Sequence, residues 1–200
     1  MVRMYREYEI DYLANILKNN GVISVPTDTV YGLCCSTSSK EAYEKLIILK
    51  ERPKNKLFPV MCKDYSQIND IAVVNSVSKK IIDVFMPGAI TLILKKKANV
   101  LSYIKSDTIA IRMATSNFLK DLIDKVGYPL FMTSANKSGM PVCNSLDEIE
   151  STFLNIDAIV KGNVTYNEAS TIVDCTCDDI KILRKGPISI DDINDALKNI

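Results

Sequence analysis

The chain reads as an α/β protein (α+β in some schemes), one domain over residues 1–200, built around a largely mixed sheet. Three observations predict this. Apolar β-type runs and amphipathic helical segments interleave from end to end. A length of 200 residues suits one domain, and 47% apolar residues are enough for a real core. No internal repeat, low-complexity tract or linker divides the chain.

In chain order, Tyr8 to Asn19 predicts a helix with Ile10, Leu13, Ile16 and Leu17 on one face and Gly21 as its stop. Val22 to Val25 is a first strand. Ser38 and Glu41 stand at capping-box spacing before a helix to about Leu49, with Tyr43, Leu46 and Ile47 inward and Pro53 beyond its end. Leu57 to Cys62 is a strand and Asp64 to Asp70 a short helix. Ser76 caps a helix carrying Val77, Ile81, Val84 and Phe85, and Pro87-Gly88 breaks it. Ala89 to Leu94 is β-type, and Thr108 to Met113 alternates as a strand with one buried face should. Ser116 caps a helix through Val126, with Gly127 after it. Pro129 to Thr133 is a strand, and Ser134 to Cys143 a loop containing serine and glycine. Ser145 and Glu148 form a second capping box. Ala158–Val160, Ser170–Asp174 and Ile180–Arg184 are short strands before an amphipathic helix from Ser189 to Asn199.

Composition excludes several functions. No run approaches the 18 apolar residues of a membrane span, and Met1 to Asp11 lacks the apolar core of a secretory signal, so the expected compartment is the cytoplasm. A net charge of +1 argues against bulk electrostatic binding of nucleic acid, although a local basic groove stays open. Lys95, Lys96 and Lys97 read as a solvated strand end. The six cysteines form no Cys-x-x-Cys pair and read mainly as small buried residues. Cys175-Thr-Cys177 has the spacing of a metal half-site, but no second close pair and no histidine accompany it.

The chain has no histidine at all. Ser-His-Asp and Cys-His nucleophiles and His-Glu-x-x-His metalloprotease chemistry are therefore excluded. An enzyme built this way works by positioning and electrostatics, or with Lys, Tyr, Asp or Glu as proton carriers. Phosphoryl and nucleotidyl transfer suit that limit. Neither a P-loop nor a Gly-x-Gly-x-x-Gly turn is present.

Four polar groups stand at strand ends and in loops. Thr27-Asp-Thr29-Val-Tyr31-Gly32 follows a buried strand and lets a ligand approach the backbone, or is an ordinary turn. Lys50-Glu-Arg52-Pro-Lys54-Asn-Lys56 is an anion site or a cationic helix end balancing the macrodipole. Lys50 and Arg52 point about 200° apart on an ideal helix, so both meet one anion only if the helix stops there. Thr133-Ser134-Ala135-Asn136-Lys-Ser138-Gly139 is a loop able to wrap phosphate with its N–H groups. Thr108, Arg112, Ser170, Thr171 and Arg184 are strand-borne; Thr108 and Arg112 share a face, and Arg184 is an edge device or a ligand clamp.

Taken together, Lys50-Glu51-Arg52 and Ser134-Ala135-Asn136 resemble the paired Lys-x-Arg and Ser-x-Asn signature of the YrdC-like family. The likeness continues through Pro-Thr-Asp-Thr-Val-Tyr-Gly-Leu (26–33), Pro87-Gly88 with Thr91, Ile-Ala-Ile-Arg112, Ser138-Gly139, Ser170-Thr-Ile-Val-Asp174 and Ile-Leu-Arg-Lys-Gly186. It keeps family order over residues 8–190.

That resemblance implies a single YrdC-like domain: a twisted, mostly mixed sheet flanked by helices, with a concave basic pocket. It implies a nucleotidyltransferase that joins L-threonine, bicarbonate and ATP into threonylcarbamoyl-adenylate and pyrophosphate. A separate threonylcarbamoyl transferase complex then makes N6-threonylcarbamoyladenosine at position 37 of ANN-decoding tRNAs. Alternatives within the resemblance are an RNA-binding module, with a weak tRNA contact, and a carbamoyl-adenylate-forming relative.

By motif, the catalytic set would be Lys50, Arg52, Ser134 and Asn136. ATP would meet Arg52, Lys56, Thr108, Ser134, Val142 and Arg184. Threonine would meet Thr29, Met61, Arg112, Met132 and Ser170. Met61 stands where some relatives have histidine, and Val142 where a hydroxyl is common. Lys50, Arg52, Lys56 and Arg184 are expected to screen the charge of triphosphate and carbamate. Mg2+ is expected to arrive with ATP, no protein-held metal is expected, and no dedicated general base is evident.

Overall fold

The structure is a computed structural model describing residues 2–53, 56–164 and 168–198. Lys54 and Asn55 of the cationic segment and Asn199 of the last helix lie outside the described residues.

Among the described residues, ten strands follow one another across a mixed sheet: β1 (Met4–Arg6), β9 (Ala158–Lys161), β2 (Ile23–Val25), β3 (Gly32–Ser36), β8 (Leu130–Ser134), β4 (Val60–Cys62), β7 (Thr108–Met113), β6 (Ile90–Lys96), β10 (Thr171–Asp174) and β11 (Lys181–Arg184). An eleventh, β5 (Ala72–Val73), pairs with the far end of β6. Parallel pairs (β1–β9, β2–β9, β4–β7, β6–β10) stand among antiparallel ones, as the mixed-sheet expectation has it.

Alternation sorts the side chains of these strands into two layers. Leu33, Cys35, Val60, Phe131 and Ile111 join a large buried cluster. The helices on that side are α2 (Lys40–Lys50), α3 (Tyr65–Ile71), α4 (Ser76–Phe85), α6 (Leu146–Thr152) and α7 (Ile190–Leu197). The residues between them, Cys34, Met61, Leu130 and Met132, join a second cluster under α1 (Ile10–Lys18) and α5 (Asn117–Val126). That second cluster takes nothing from β6, β7 or β10. The α1/α5 face of the sheet is therefore covered over only part of its width, and the uncovered part holds the cleft described below.

Most expected elements are present with shifted ends. Thr108–Met113 has the expected bounds, and α5 starts on Ser116 and stops on Gly127, whose φ is 86°. Two caps differ by one residue. Ser39, not Ser38, accepts from the Ala42 N–H, while the Ser38 hydroxyl turns to Ser36. Asn75, not Ser76, caps α4 in a reciprocal box with Ser78.

Three strands went unforeseen: β1, β5 and β3. The last of these is central. All five residues of β3 are buried, and it pairs antiparallel with both β2 and β8. Gly-Leu-Cys-Cys-Ser neither alternates nor contains a β-branched residue, so it carries no strand signal of its own. Gly32 has a packing reason: a Cβ there would sit 2.6 Å from Met132 Sδ.

Candidate active site

A cleft of about 290 Å³ opens on the uncovered part of the sheet. Its floor is one strand face: Thr91 and Ile93 of β6, Ala110 and Arg112 of β7, Ile172 of β10, and Met61 of β4. Register puts them side by side, with Met61 opposite Arg112, Ile93 opposite Ala110 and Thr91 opposite Ile172. Thr29, Gly32, Met132 and Ser134 wall one side, Ser170 and Arg184 another, and Arg52 and Leu57 a third.

The Thr27–Tyr31 loop is shaped by its own hydroxyl. Thr27 Oγ1 donates to the Val30 carbonyl at 2.6 Å and accepts from the Thr29 and Val30 N–H groups, a side-chain turn that leaves Thr29 at the cleft. Thr29 Oγ1 in turn accepts from Arg112 Nη1 at 2.8 Å.

Arg112 is held on every side. Its Nη2 donates to both carboxylate oxygens of Asp28, at 2.6 and 2.7 Å, and its Nε points at the Gly88 carbonyl at 3.3 Å. Arg184 donates from Nε to the Ser170 carbonyl (2.9 Å) and from Nη2 to the Ser170 hydroxyl (3.1 Å). Thr91 fixes that hydroxyl from the other side at 2.8 Å.

Arg52 owes its place to the end of α2. Glu51 takes a left-handed conformation (φ 49°), and the Arg52 N–H bonds back to the Ile47 carbonyl. Its guanidinium then donates to the Lys56 and Leu57 carbonyls at 2.7 and 2.6 Å and lies 4.7 Å over the Phe58 ring. The same turn sends Lys50 elsewhere. Its ammonium is buried and donates to the Ser134 carbonyl (2.6 Å) and Asn136 Oδ1 (2.9 Å).

The electrostatics of the cleft suit an anion. Burial pushes the pKa of Arg52, Arg112 and Arg184 below the ordinary guanidinium value; Arg112 pushes Arg184 further the same way, while Asp28 pulls Arg112 back up. Arg112 has a counter-ion, whereas the bonds of Arg52 and Arg184 run to neutral oxygens. An anion that enters relieves the cost of two partly buried charges. Burial also lowers the Lys50 pKa to about 7, Arg52 adds to the shift, and Cys143 opposes it.

Of the thirteen residues to which the resemblance assigns a catalytic or binding role, eight line this cleft: Thr29, Arg52, Met61, Arg112, Met132, Ser134, Ser170 and Arg184. Five do not. Lys50 and Asn136 bond each other behind Ser134. Lys56 is exposed and contributes its carbonyl to Arg52. Thr108 shares the parity of Arg112 but sits at the start of β7, 3.3 Å from the Ser106 hydroxyl and beside a small cavity lined by Phe58 and Ile109. Val142 lies in the loop beyond Ser134, outside the lining. Two polar side chains that brace the site, Asp28 against Arg112 and Thr91 against Ser170, were assigned no contact in the sequence reading. Asp28 stands between two threonines already noted, and a buried arginine needing a counter-ion is the signal that finds it.

A family model named Sua5_yciO_yrdC, described as "Telomere recombination", matches residues 15–186. The chain belongs to the Sua5/YciO/YrdC family. Within it, a Methanocaldococcus jannaschii protein provisionally named a threonylcarbamoyl-AMP synthase is 33% identical over 187 residues, 92% of this chain and 89% of its own length. Escherichia coli K12 YciO is 29% identical over 182 residues, 88% of each chain. The crystal structure of P. abyssi Sua5 complexed with L-threonine superposes with a TM-score of 0.90 at 26% identity, covering 100% of this chain and 62% of the Sua5 chain. The present chain thus spans about three-fifths of that Sua5.

Proposed function

We propose that this member of the family is an L-threonylcarbamoyladenylate synthase. One observation carries the reading: two guanidinium groups without a counter-ion among the described residues, Arg52 and Arg184, converge on a cleft whose third arginine, Arg112, is charge-paired with Asp28 and bonded to the Thr29 hydroxyl, with the Ser170 hydroxyl held by Arg184. The first two suit a polyphosphate. The polar corner around Arg112 suits a small hydroxy amino acid, in keeping with a Sua5 relative that binds L-threonine.

In the reaction, the Arg112 corner takes the threonine carboxylate and orients its amine. The neutral amine attacks bicarbonate, giving the carbamate and water. A carbamate oxygen then attacks the α-phosphorus of ATP and pyrophosphate leaves. Arg52 and Arg184 hold the charge that develops, each bond contributing about 1.5–3 kcal/mol. Mg2+ enters as part of MgATP: among the described residues no cluster of three or more Cys, Asp or Glu is placed to hold a metal ion. The proposed acceptor is a threonylcarbamoyl transferase complex acting on tRNA. The proposed compartment is the cytosol, in keeping with six free cysteines.

The test is ATP–pyrophosphate exchange. It should require both threonine and bicarbonate, and Arg52→Ala should abolish it while leaving the circular dichroism unchanged. Equal exchange with serine, or without an amino acid, contradicts the substrate assignment.

A further inference from the structure

Lys50 and Asn136 belong to the signature that marks the family, yet neither lines the cleft. Both are engaged inside the protein. The Lys50 ammonium, on a side chain 1% exposed, donates to the Ser134 carbonyl at 2.6 Å and to Asn136 Oδ1 at 2.9 Å. Asn136 Oδ1 also accepts from the Ser134 hydroxyl at 2.6 Å. Its Nδ2 donates to the Lys137 and Met140 carbonyls at 2.9 and 2.7 Å. An asparagine amide has two donors and two acceptor positions, so Asn136 has none left for a ligand.

The same two segments meet twice more. The Ser138 N–H donates to the Lys50 carbonyl at 2.8 Å, and Lys137 pairs with Glu51 at 2.5 Å. The end of α2 and the loop after β8 are thus tied by side chain and backbone together.

We propose that Lys50 and Asn136 are positioning residues that latch the Ser134 loop to the end of α2, while the other half of each motif, Arg52 and Ser134, faces the ligand. The Lys-x-Arg and Ser-x-Asn pairs then act as one device. One residue of each pair bonds across to the other segment and sets the spacing of the two cleft groups. The latch does not depend on charge: a neutral amine keeps two N–H donors, enough for both acceptors. This differs from a direct role for Lys50 in screening phosphate. It rests on the proposed reaction only for its kinetic arm.

Lys50→Met, Asn136→Ala and the double variant test it, read by adenylate formation and by amide hydrogen exchange without substrate. Each single change lowers kcat by about 100-fold, the loss that a small misplacement of a reacting group brings. The ATP KM moves far less, and the double variant loses well short of the product of the two single losses, because both changes remove the shared Lys50–Asn136 bond. Exchange at the Ser138 and Cys143 amides quickens in both singles, while the Ala114 amide, bonded to Cys62, stays protected. Losses that multiply, a raised ATP KM in Lys50→Met with kcat intact, or unchanged exchange at both loop amides overturns the latch. If Lys50→Met does not fold, Asn136→Ala carries the exchange and kinetic outcomes alone. A wild-type chain that forms no adenylate overturns the proposed reaction instead, and exchange then decides the latch.

Discussion

Asp28 and Lys50 are charged groups with opposite parts to play. The Asp28 carboxylate neutralises Arg112, which is only 7% exposed. Removing one partner of such a pair strands the other charge, which is far more costly than losing a surface ion pair. Asp28→Ala should therefore lower the unfolding free energy by about 3 kcal/mol in urea titrations. Asp28→Asn should cost less, since the amide oxygen still accepts from Nη2. A change below about 0.5 kcal/mol for the alanine variant means the pair is not formed. Lys50 offers a pH signature. Its folded pKa is about 7 against an ordinary 10.5, held down by burial and by Arg52 and opposed by Cys143. Below pH 7 both folded and unfolded chains carry the proton and stability is indifferent to it. Between about 7 and 10.5 only the unfolded chain does, so this group makes stability rise with pH, by at most about 1.4 kcal/mol per unit. Subtracting the profile of Lys50→Met isolates the effect; a flat difference across that window contradicts the buried ammonium.

At the scale of elements, helix ends set the site as much as strands do. The left-handed Glu51 parts Lys50 from Arg52, which explains how two residues on opposite sides of an ideal helix both serve one loop-and-cleft assembly. The start of α2 gives a direct check. Ser39→Ala should destabilise by about 1 kcal/mol and Ser38→Ala by clearly less, because only Ser39 caps the helix. The reverse order in thermal unfolding would restore the cap to Ser38. These one-residue shifts show what a sequence hides. Ser38 and Ser39 are chemically alike, and only the backbone decides which one faces the Ala42 N–H. The strand β7 was readable to the residue because it alternates beside an uncovered face. The strand β3 was not, because both faces of Gly32–Ser36 are buried and one of its two partners, β8, lies about a hundred positions away.

The whole molecule places its cleft by omission. Helices α1 and α5 cover the β1-to-β4 part of one sheet face, and the strands β7, β6 and β10 beside it stay open. No single element announces that, but its polar residues do: Arg112 and Arg184 are unusual on short apolar strands, Ser170 stands just before one, and Arg184 reads in the sequence as either an edge device or a ligand clamp. The structure gathers them with Thr29, Arg52 and Ser134 around one space, which favours the clamp. What the sequence could not assign was division of labour within the signature, because Lys50 and Asn136 look as ligand-like as Arg52 and Ser134 until their bonds are seen. The central claim is the reaction itself. Incubating the protein with MgATP, L-threonine and bicarbonate and reading the products by mass spectrometry should yield threonylcarbamoyl-adenylate with pyrophosphate, both lost when threonine or bicarbonate is withheld. ATP left intact with all three substrates present, or turnover to AMP that ignores threonine, contradicts it.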